Sequence, residues 1–327
     1  MTRVSTGSRL HFGLFRLPPA GPWPSGERFY GGVGLMIERP GVRVAVEPAP
    51  EWGASGPLAE RALSVARRLC HDSTLVVSAR PHHVTLEECA PEHVGLGTGT
   101  QLSLAVARAL TASVGGVDLS AAELARRTGR GRRSAIGVHG FDCGGFLVDR
   151  GKGSPEELAP LAARADFPEA WRVLLLTPVG EALPWHGRRE EEALAVAGAT
   201  AHDALDRLAL LGLLPALAAG DVAAFGEALF EFNIRAGEPF RAAQGGPYAC
   251  AATAELVAWL RDHGVRGAGQ SSWGTTAFGI VGDAGTAAAL LAAAHLPWGG
   301  KVTAVMTSGR NAGASCIRAQ EKGGTTH

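Results

Sequence analysis

The sequence predicts an α+β fold organised as two domains. Three features carry that expectation. Strand-like apolar stretches alternate with helical spacings along the 327 residues. Two glycine-rich loops, 95–101 and 267–274, sit beside strand-like segments in the two halves of the chain. A turn-rich joint, Gly151 to Pro155, places a soft boundary near residues 155–170. The expected domains run 1–165 and 166–320, with 321–327 as a flexible tail.

Taken in order, Arg9 to Leu17 reads as a buried strand with polar interruptions, and Pro18 to Gly26 as a loop. Phe29 to Ile37 holds Gly31, Gly32 and Gly34, which bring backbone close to a neighbour. Val42 to Val46 alternates as a strand, and Leu58 to Cys70 has helical spacing. Thr74 to Ser78 and Val84 to Glu88 are strand-like. An Ala-rich helix, Leu102 to Thr111, follows the first glycine loop. Ser120 starts another, with Glu123 at capping-box spacing. Thr128 to Arg133 is basic, Gly137 to Gly145 is a further glycine cluster, and Phe146 to Asp149 is a strand. In the second half, Arg172 to Thr177, Val265 to Ala268, Thr275 to Val281 and Val302 to Met306 read as strands. Glu190 to Leu214, Val222 to Arg235, Pro247 to Asp262 and Ala284 to Ala294 read as helices.

Composition narrows the function classes. Hydrophobic residues make up 46% and charged residues 19%, enough for a sizeable core. A formal net charge of zero gives no broad basic surface for nucleic acid. The five cysteines have no CxxC spacing, which argues against a disulfide frame or zinc site and for reduced thiols in the cytoplasm. Met1 to Arg9 lacks the apolar core of a signal peptide, and Leu208 to Gly220 is too short to span a bilayer.

The chemistry concentrates at Gly95-Leu96-Gly97-Thr98-Gly99-Thr100-Gln101. A strand, a glycine turn and a helix in that order aim backbone N–H groups and the positive end of a helix dipole at one point, which suits phosphate. The hydroxyls of Thr98, Thr100 and Ser103 can add donors; the plain alternative is that Thr98 caps the helix. Arg9 and His11 share one side of the first strand with Gly13. An Arg in an apolar strand is costly without a partner, so Arg9 points to a site, whereas His11 fits a site or a hydrogen-bonded core. Arg130 reads as solvated surface. His139 and Asp142 lie in the third glycine cluster; Asp142 fits magnesium ligation, orientation of His139, or a simple turn. Gln270, Ser271 and Ser272 offer polar contacts from the second loop, and Trp273 fits either stacking on an aromatic substrate or core packing.

Pro91 to Thr100 resembles the phosphate-binding motif of the GHMP kinase superfamily, Gly267 to Gly274 resembles its C-terminal motif, and Arg9 to Gly13 stands where its first motif belongs. The resemblance covers roughly residues 3–310 and implies a β/α N-terminal domain with a left-handed β-α-β phosphate loop and a ferredoxin-like C-terminal domain. Kinases of the superfamily carry Ser-Gly-x-Asp with a catalytic Asp; here the stretch is Ser134-Ala135-Ile136-Gly137. Together with Gly31 to Gly34, Arg133 to Gly137 and Gly140 to Gly145, the motifs are more similar to the β-ribofuranosylaminobenzene 5′-phosphate synthase family. That resemblance implies condensation of phosphoribosyl pyrophosphate with 4-aminobenzoate and release of carbon dioxide and pyrophosphate, in the biosynthesis of tetrahydromethanopterin-type cofactors. It implies Arg9, His11, His139 and Asp142 as catalytic, Gly95 to Gln101, Ser103 and Gln270 to Trp273 on substrate, and Arg133 with Ser134 on the 5′-phosphate. It further implies magnesium, no organic cofactor, no nucleic-acid or membrane partner, and a homodimer. An ATP-dependent small-molecule kinase and a non-catalytic binder are the alternatives.

Overall fold

The structure, a computed structural model, describes residues 1–19, 21–70, 80–115, 118–180 and 203–318. The expected strand 74–78, residues 190–202 of an expected helix and the tail 321–327 lie outside the described residues.

Two sheets organise the chain. The first contains β1 (Thr2–Leu14), β2 (Gly32–Pro48), β3 (Gly53–Ser55), β4 (His82–Cys89), β5 (Phe146–Asp149), β6 (Leu161–Ala165) and β11 (Ser315–Arg318). Its path is β11-β1-β2-β4-β3, and β5 and β6 branch from β2. Helices α1 (Ala59–Cys70), α2 (Thr98–Ser113), α3 (Ala121–Thr128) and α4 (Ile136–Cys143) accompany it. The α2 helix packs against β1 and β2 and is buried on nearly every side, which explains its run of Ala, Leu and Val.

The second sheet is antiparallel, in the order β10 (Val302–Thr307), β7 (Arg172–Pro178), β9 (Ala277–Val281), β8 (Gly267–Gln270). Its long helices are α5 (Val222–Gly237), α6 (Ala251–Asp262) and α7 (Ala284–Trp298). Chain order set against spatial order gives the split βαβ, ferredoxin-like pattern. One apolar cluster runs across both sheets, from Leu10, Phe12 and Leu35 to Val173, Phe225 and Phe278. Phe12 joins the halves directly, its ring 5.1 Å from that of Phe278 and 6.4 Å from that of Phe146.

One pairing crosses the expected domain limits, and one strand forms where the sequence reading named no element. β11 pairs with β1, so residues 315–318 return to the first sheet although they fall inside the expected second domain. β6, Leu-Ala-Ala-Arg-Ala, pairs with β5 although its composition suits a helix; the exposed edge of β5 overrides propensity. Among the described residues, no helix is long and apolar enough to cross a membrane.

Candidate active site

β1 sets the scale of the site. Arg9 lies beside the first glycine loop, and its N–H donates to the Leu96 carbonyl at 2.9 Å. Five residues on, Leu14 packs in a cluster with Phe240 and Trp273. At about 3.3 Å per residue these two points of the strand lie about 16 Å apart. A cleft of about 1020 Å³ follows it, lined by Arg9, His11 and Leu14 along the strand.

The two glycine loops touch backbone to backbone. Ser271 Oγ donates to the Gly95 carbonyl at 2.7 Å and accepts the His11 N–H at 3.1 Å. A Cβ on Gly95 would stand 2.1 Å from the Ser271 carbonyl, and φ there is +94°, so only glycine fits. Gly97 precedes α2 with φ 70°. A Cβ at Gly97 would meet Arg9 Nε at 3.2 Å, and one at Gly99 would meet Arg61 Nη2 at 2.6 Å and Arg130 Nη1 at 3.5 Å. Guanidinium groups thus stand over both glycines.

Arg9, Arg68, Arg130, Arg132 and Arg133 line the cleft, and among its described lining residues none is Asp or Glu. Arg130 corrects the surface reading: its Nε donates to Ser103 Oγ at 3.0 Å. Burial first, then Arg61, Arg68 and Arg132, bring its pKa down to about 10. Such a concentration of cations suits a polyanion.

His11 is buried, and burial with the neighbouring Arg9 charge holds its pKa well below the usual imidazole value, so it is neutral at pH 7. A Cβ on Gly32 would stand 2.8 Å from both His11 Nε2 and Ser134 Oγ, so that glycine opens the space between them. Behind Ser134 lies Asp149, absent from the sequence-based candidates. Its Oδ2 accepts Ser134 O–H at 2.7 Å and Ala135 N–H at 2.8 Å; its Oδ1 accepts Gly32 N–H at 3.0 Å and Gly151 N–H at 3.1 Å. Burial pushes this carboxyl up to about 6 against the pull of those donors. Asp149 holds the cleft wall in place; its signal was an acid closing an otherwise apolar strand.

Asn233 was also missed. From α5 its Nδ2 donates to the carbonyls of Phe12 (2.7 Å) and Gln270 (2.9 Å), and its Oδ1 accepts Gln270 N–H at 2.8 Å. It ties β1 to β8 at the cleft wall, and its signal was a lone amide inside an apolar helical pattern. Trp273 meets Phe240 edge-on, ring centroids 4.5 Å apart, and both face the cleft with Trp23 and Tyr30.

The remaining sequence candidates divide by position. Thr100, Gln270 and Ser272 line the cleft with Arg9, His11, Arg133, Ser134 and Trp273. Gln270 is occupied on both sides: Oε1 accepts Ala249 N–H and Nε2 donates to the Ser272 carbonyl, each at 2.6 Å. Thr98 Oγ1 donates to the Pro91 carbonyl at 2.7 Å, and Ser103 Oγ to the Gly99 carbonyl at 2.7 Å, so both hydroxyls brace the loop. Gln101 is fully buried, accepting from Thr6 Oγ1 at 2.8 Å and donating to the Gly137 carbonyl at 2.7 Å. His139 and Asp142 stand away from the cleft. His139 Nε2 bonds the Ala159 carbonyl at 2.8 Å. The Asp142 carboxylate accepts Ala121 N–H at 2.9 Å, capping α3, and faces Arg108 at 3.5 Å. Their assignment as catalytic groups, and Asp142 as a metal ligand, is therefore corrected: local packing uses both side chains. Among the described residues, no three His, Cys, Asp or Glu converge as a metal site.

Fold and cleft define a two-lobed, GHMP-type protein with an arginine-lined cleft. Residues 58–149 match the family described as GHMP kinases N terminal domain, and 213–298 match GHMP kinases C terminal. The chain resembles a homoserine kinase from Cytophaga hutchinsonii with a TM-score of 0.67 at 14% identity, covering 97% of each chain. It also resembles the mevalonate diphosphate decarboxylase of Enterococcus faecalis, with a TM-score of 0.62 at 13% identity over 97% of this chain and 99% of that one. The beta-ribofuranosylphenol 5′-phosphate synthase of Methanothermobacter thermautotrophicus is 32% identical over 344 residues, 96% of this chain and 98% of that protein. The protein of the same name from Archaeoglobus fulgidus is 32% identical, over 70% of this chain and 74% of its own. The chain belongs to this synthase family within the GHMP kinase superfamily.

Proposed function

We propose that this chain is a decarboxylating phosphoribosyltransferase. It joins phosphoribosyl pyrophosphate to a para-substituted benzoate, releasing carbon dioxide and pyrophosphate, for a tetrahydromethanopterin-type carrier. The observation that carries this reading is the cleft itself, lined among its described residues by five arginines, no carboxylate and an aromatic pocket.

The chemistry suits those groups. The C1–O bond of the ribose breaks with its electron pair leaving on pyrophosphate, and positive charge develops on the sugar. Arginines stabilise the leaving anion. The ring carbon bearing the carboxylate is electron-rich because the amino or hydroxyl group lies para to it. It bonds C1, and the carboxylate leaves as carbon dioxide, returning its electron pair to the ring. No net proton is consumed, and no organic cofactor enters this scheme. Neutral His11 places no further cation against the developing positive charge. Arg133 and Arg9 offer donors to the 5′-phosphate, while Ser134, its hydroxyl given to Asp149, shapes the wall beside them. The protein's donor set at the cleft does not form an oxygen-anion cage for magnesium; the metal enters as the counter-ion of phosphoribosyl pyrophosphate.

The relatives' name places a phenol where the sequence reading expects an aminobenzene. Both acceptors obey the same electron flow, so the assay runs both. Pure protein is incubated with magnesium, phosphoribosyl pyrophosphate and carboxyl-labelled 4-aminobenzoate or 4-hydroxybenzoate, and released labelled carbon dioxide is counted. Release with either acceptor is the expected outcome, and the faster one names the product. No release, with ATP consumed on a small alcohol, replaces the synthase by a kinase; neither reaction leaves a binder.

A further inference from the structure

The arginines do not form one undivided patch. At the start of α2, Arg9 stands over Gly97, whereas a second group gathers at Gly99 and Gly129. Arg9 is accompanied by His11 further along β1 and by Ser134, from the segment before α4, facing His11 across Gly32. The second group holds Arg61 and Arg68 from α1 and Arg130 and Arg132 from the turn after α3.

The second group is convergent. Arg61 and Arg130 meet over Gly99, their nearest nitrogens 2.6 Å and 3.5 Å from the position of its missing Cβ. Arg132 and Arg68 approach Gly129 in the same way, at 3.7 Å and 4.0 Å. Arg68 Nη1 donates to the Thr128 carbonyl at 3.4 Å, and Arg130 Nε to Ser103, so both head groups are held. Among the described residues, Glu92 on Arg61 is the one carboxylate ion-paired with these four side chains. Four guanidinium groups against one carboxylate leave an excess of positive charge, half-buried at Arg61 and Arg130 and exposed at Arg68 and Arg132. After burial, Arg61, Arg68 and Arg132 pull the Arg130 pKa down further, and an anion seated among them would relieve that repulsion. The excess matches a diphosphate, which carries more charge than a phosphate monoester.

We propose that Arg61, Arg68, Arg130 and Arg132 form a diphosphate subsite that takes the leaving pyrophosphate, separate from the Arg9, His11 and Ser134 side, which takes the ribose 5-phosphate. This rests on the phosphoribosyltransferase reading above and adds an order to it. Leaving group, sugar and acceptor lie in sequence from α1, along β1, to Trp273. The acceptor then attacks C1 from the side opposite the departing pyrophosphate. No lysine is present among the four, and guanidinium forks suit a diphosphate's several oxygens better than ammonium points do.

The test is equilibrium binding to the full chain by calorimetry in magnesium buffer, with pyrophosphate, ribose 5-phosphate and ATP as separate probes. Arg130→Met is expected to weaken pyrophosphate at least tenfold and to leave ribose 5-phosphate within twofold. Arg68→Met, on an exposed part of α1, is expected to weaken pyrophosphate by a smaller factor in the same direction, and it serves if Arg130→Met does not fold. Unchanged pyrophosphate affinity in a variant that melts like the parent overturns the subsite, as does equal loss of both probes. A parent protein that binds pyrophosphate but not ribose 5-phosphate refutes the phosphoribosyl reading, while the pyrophosphate arm still judges the subsite. ATP binding tighter than pyrophosphate, and lost with Arg130, assigns the four arginines to a nucleotide instead.

Discussion

Residues 95–101 and 137–145 look alike on paper. Both are rich in glycine, both are followed or entered by a helix, and both carry polar side chains. In three dimensions their glycines serve opposite ends. A Cβ at Gly97 or Gly99 would meet guanidinium groups of Arg9, Arg61 and Arg130. A Cβ at Gly140 would meet Met36 Sδ at 2.4 Å, and one at Gly144 would meet the Arg310 and Ala312 backbone at 2.5–2.7 Å. The first loop is thin so that charged groups and a ligand can approach backbone. The second is thin so that α4 can lie flat on β2 and the returning C-terminal segment. A glycine cluster therefore marks close approach, and what approaches decides whether it is a site.

Substitutions on the two sides separate these roles. The largest effect is expected at Arg9. Arg9→Met removes a fixed cation beside the phosphate loop, and kcat/KM should fall by about 10²–10³, in the range of losing one preorganised donor to developing charge. A fall of less than threefold in steady-state assays would place the reacting atoms elsewhere. On the packing side, Gly140→Ala forces a methyl group against fully buried Met36. Overpacking of this kind costs about 1–3 kcal/mol, read as a lower midpoint in urea, while kcat and KM of the folded fraction hold steady.

The cleft side should also titrate. The folded pKa of His11 is depressed below its ordinary 6.5, so the stability this group contributes is present above 6.5 and lost as pH falls towards the folded value. Asp149 is shifted the other way, from 3.8 to about 6, so its contribution is full below 3.8 and lost as pH rises through about 6. Between pH 5 and 6.5 the two slopes oppose. His11→Gln removes one of them, and its stability relative to the parent should improve on acidification across that window. Melting curves at half-unit intervals measure it, and parallel curves would mean that His11 titrates in the folded protein as it does in the unfolded chain.

Much of the fold was legible because periodicity and punctuation are local. Phe146 to Asp149, Arg172 to Thr177 and Val302 to Met306 announce themselves as strands, and Ser120 with Glu123 as a helix start; its hydroxyl does accept Glu123 N–H at 3.2 Å. The first glycine loop, Arg9 and His11 were readable as a group because alternation along one strand puts charge on one side. Arg61 and Arg68 were not, because they look like ordinary basic residues on an amphipathic helix, and only tertiary packing turns them towards Gly99 and Gly129. Arg130 looked solvated because a basic turn usually is. Asp149, apart from Gly151, and Asn233 act through partners more than ten residues away, which no short window along the chain contains. β11 was invisible for the same reason, since its pairing with β1 joins the two ends of the chain.

The smallest effect falls on the residue where the sequence reading and the geometry part most clearly. Asp142 has the right element type for magnesium, and its position in a glycine cluster invites that role. Its oxygens, however, accept the Ala121 N–H at the start of α3, and Arg108 stands at 3.5 Å. Asp142→Asn keeps the shape and one carbonyl acceptor but gives up the negative charge at the helix start. The cost should be about 1 kcal/mol of folding stability, the range of a helix cap. Product formation titrated with magnesium should give the same half-saturation point as the parent. A shift in that point would return Asp142 to the metal and collapse the distinction between the two glycine clusters, because the second would then face a ligand as the first does.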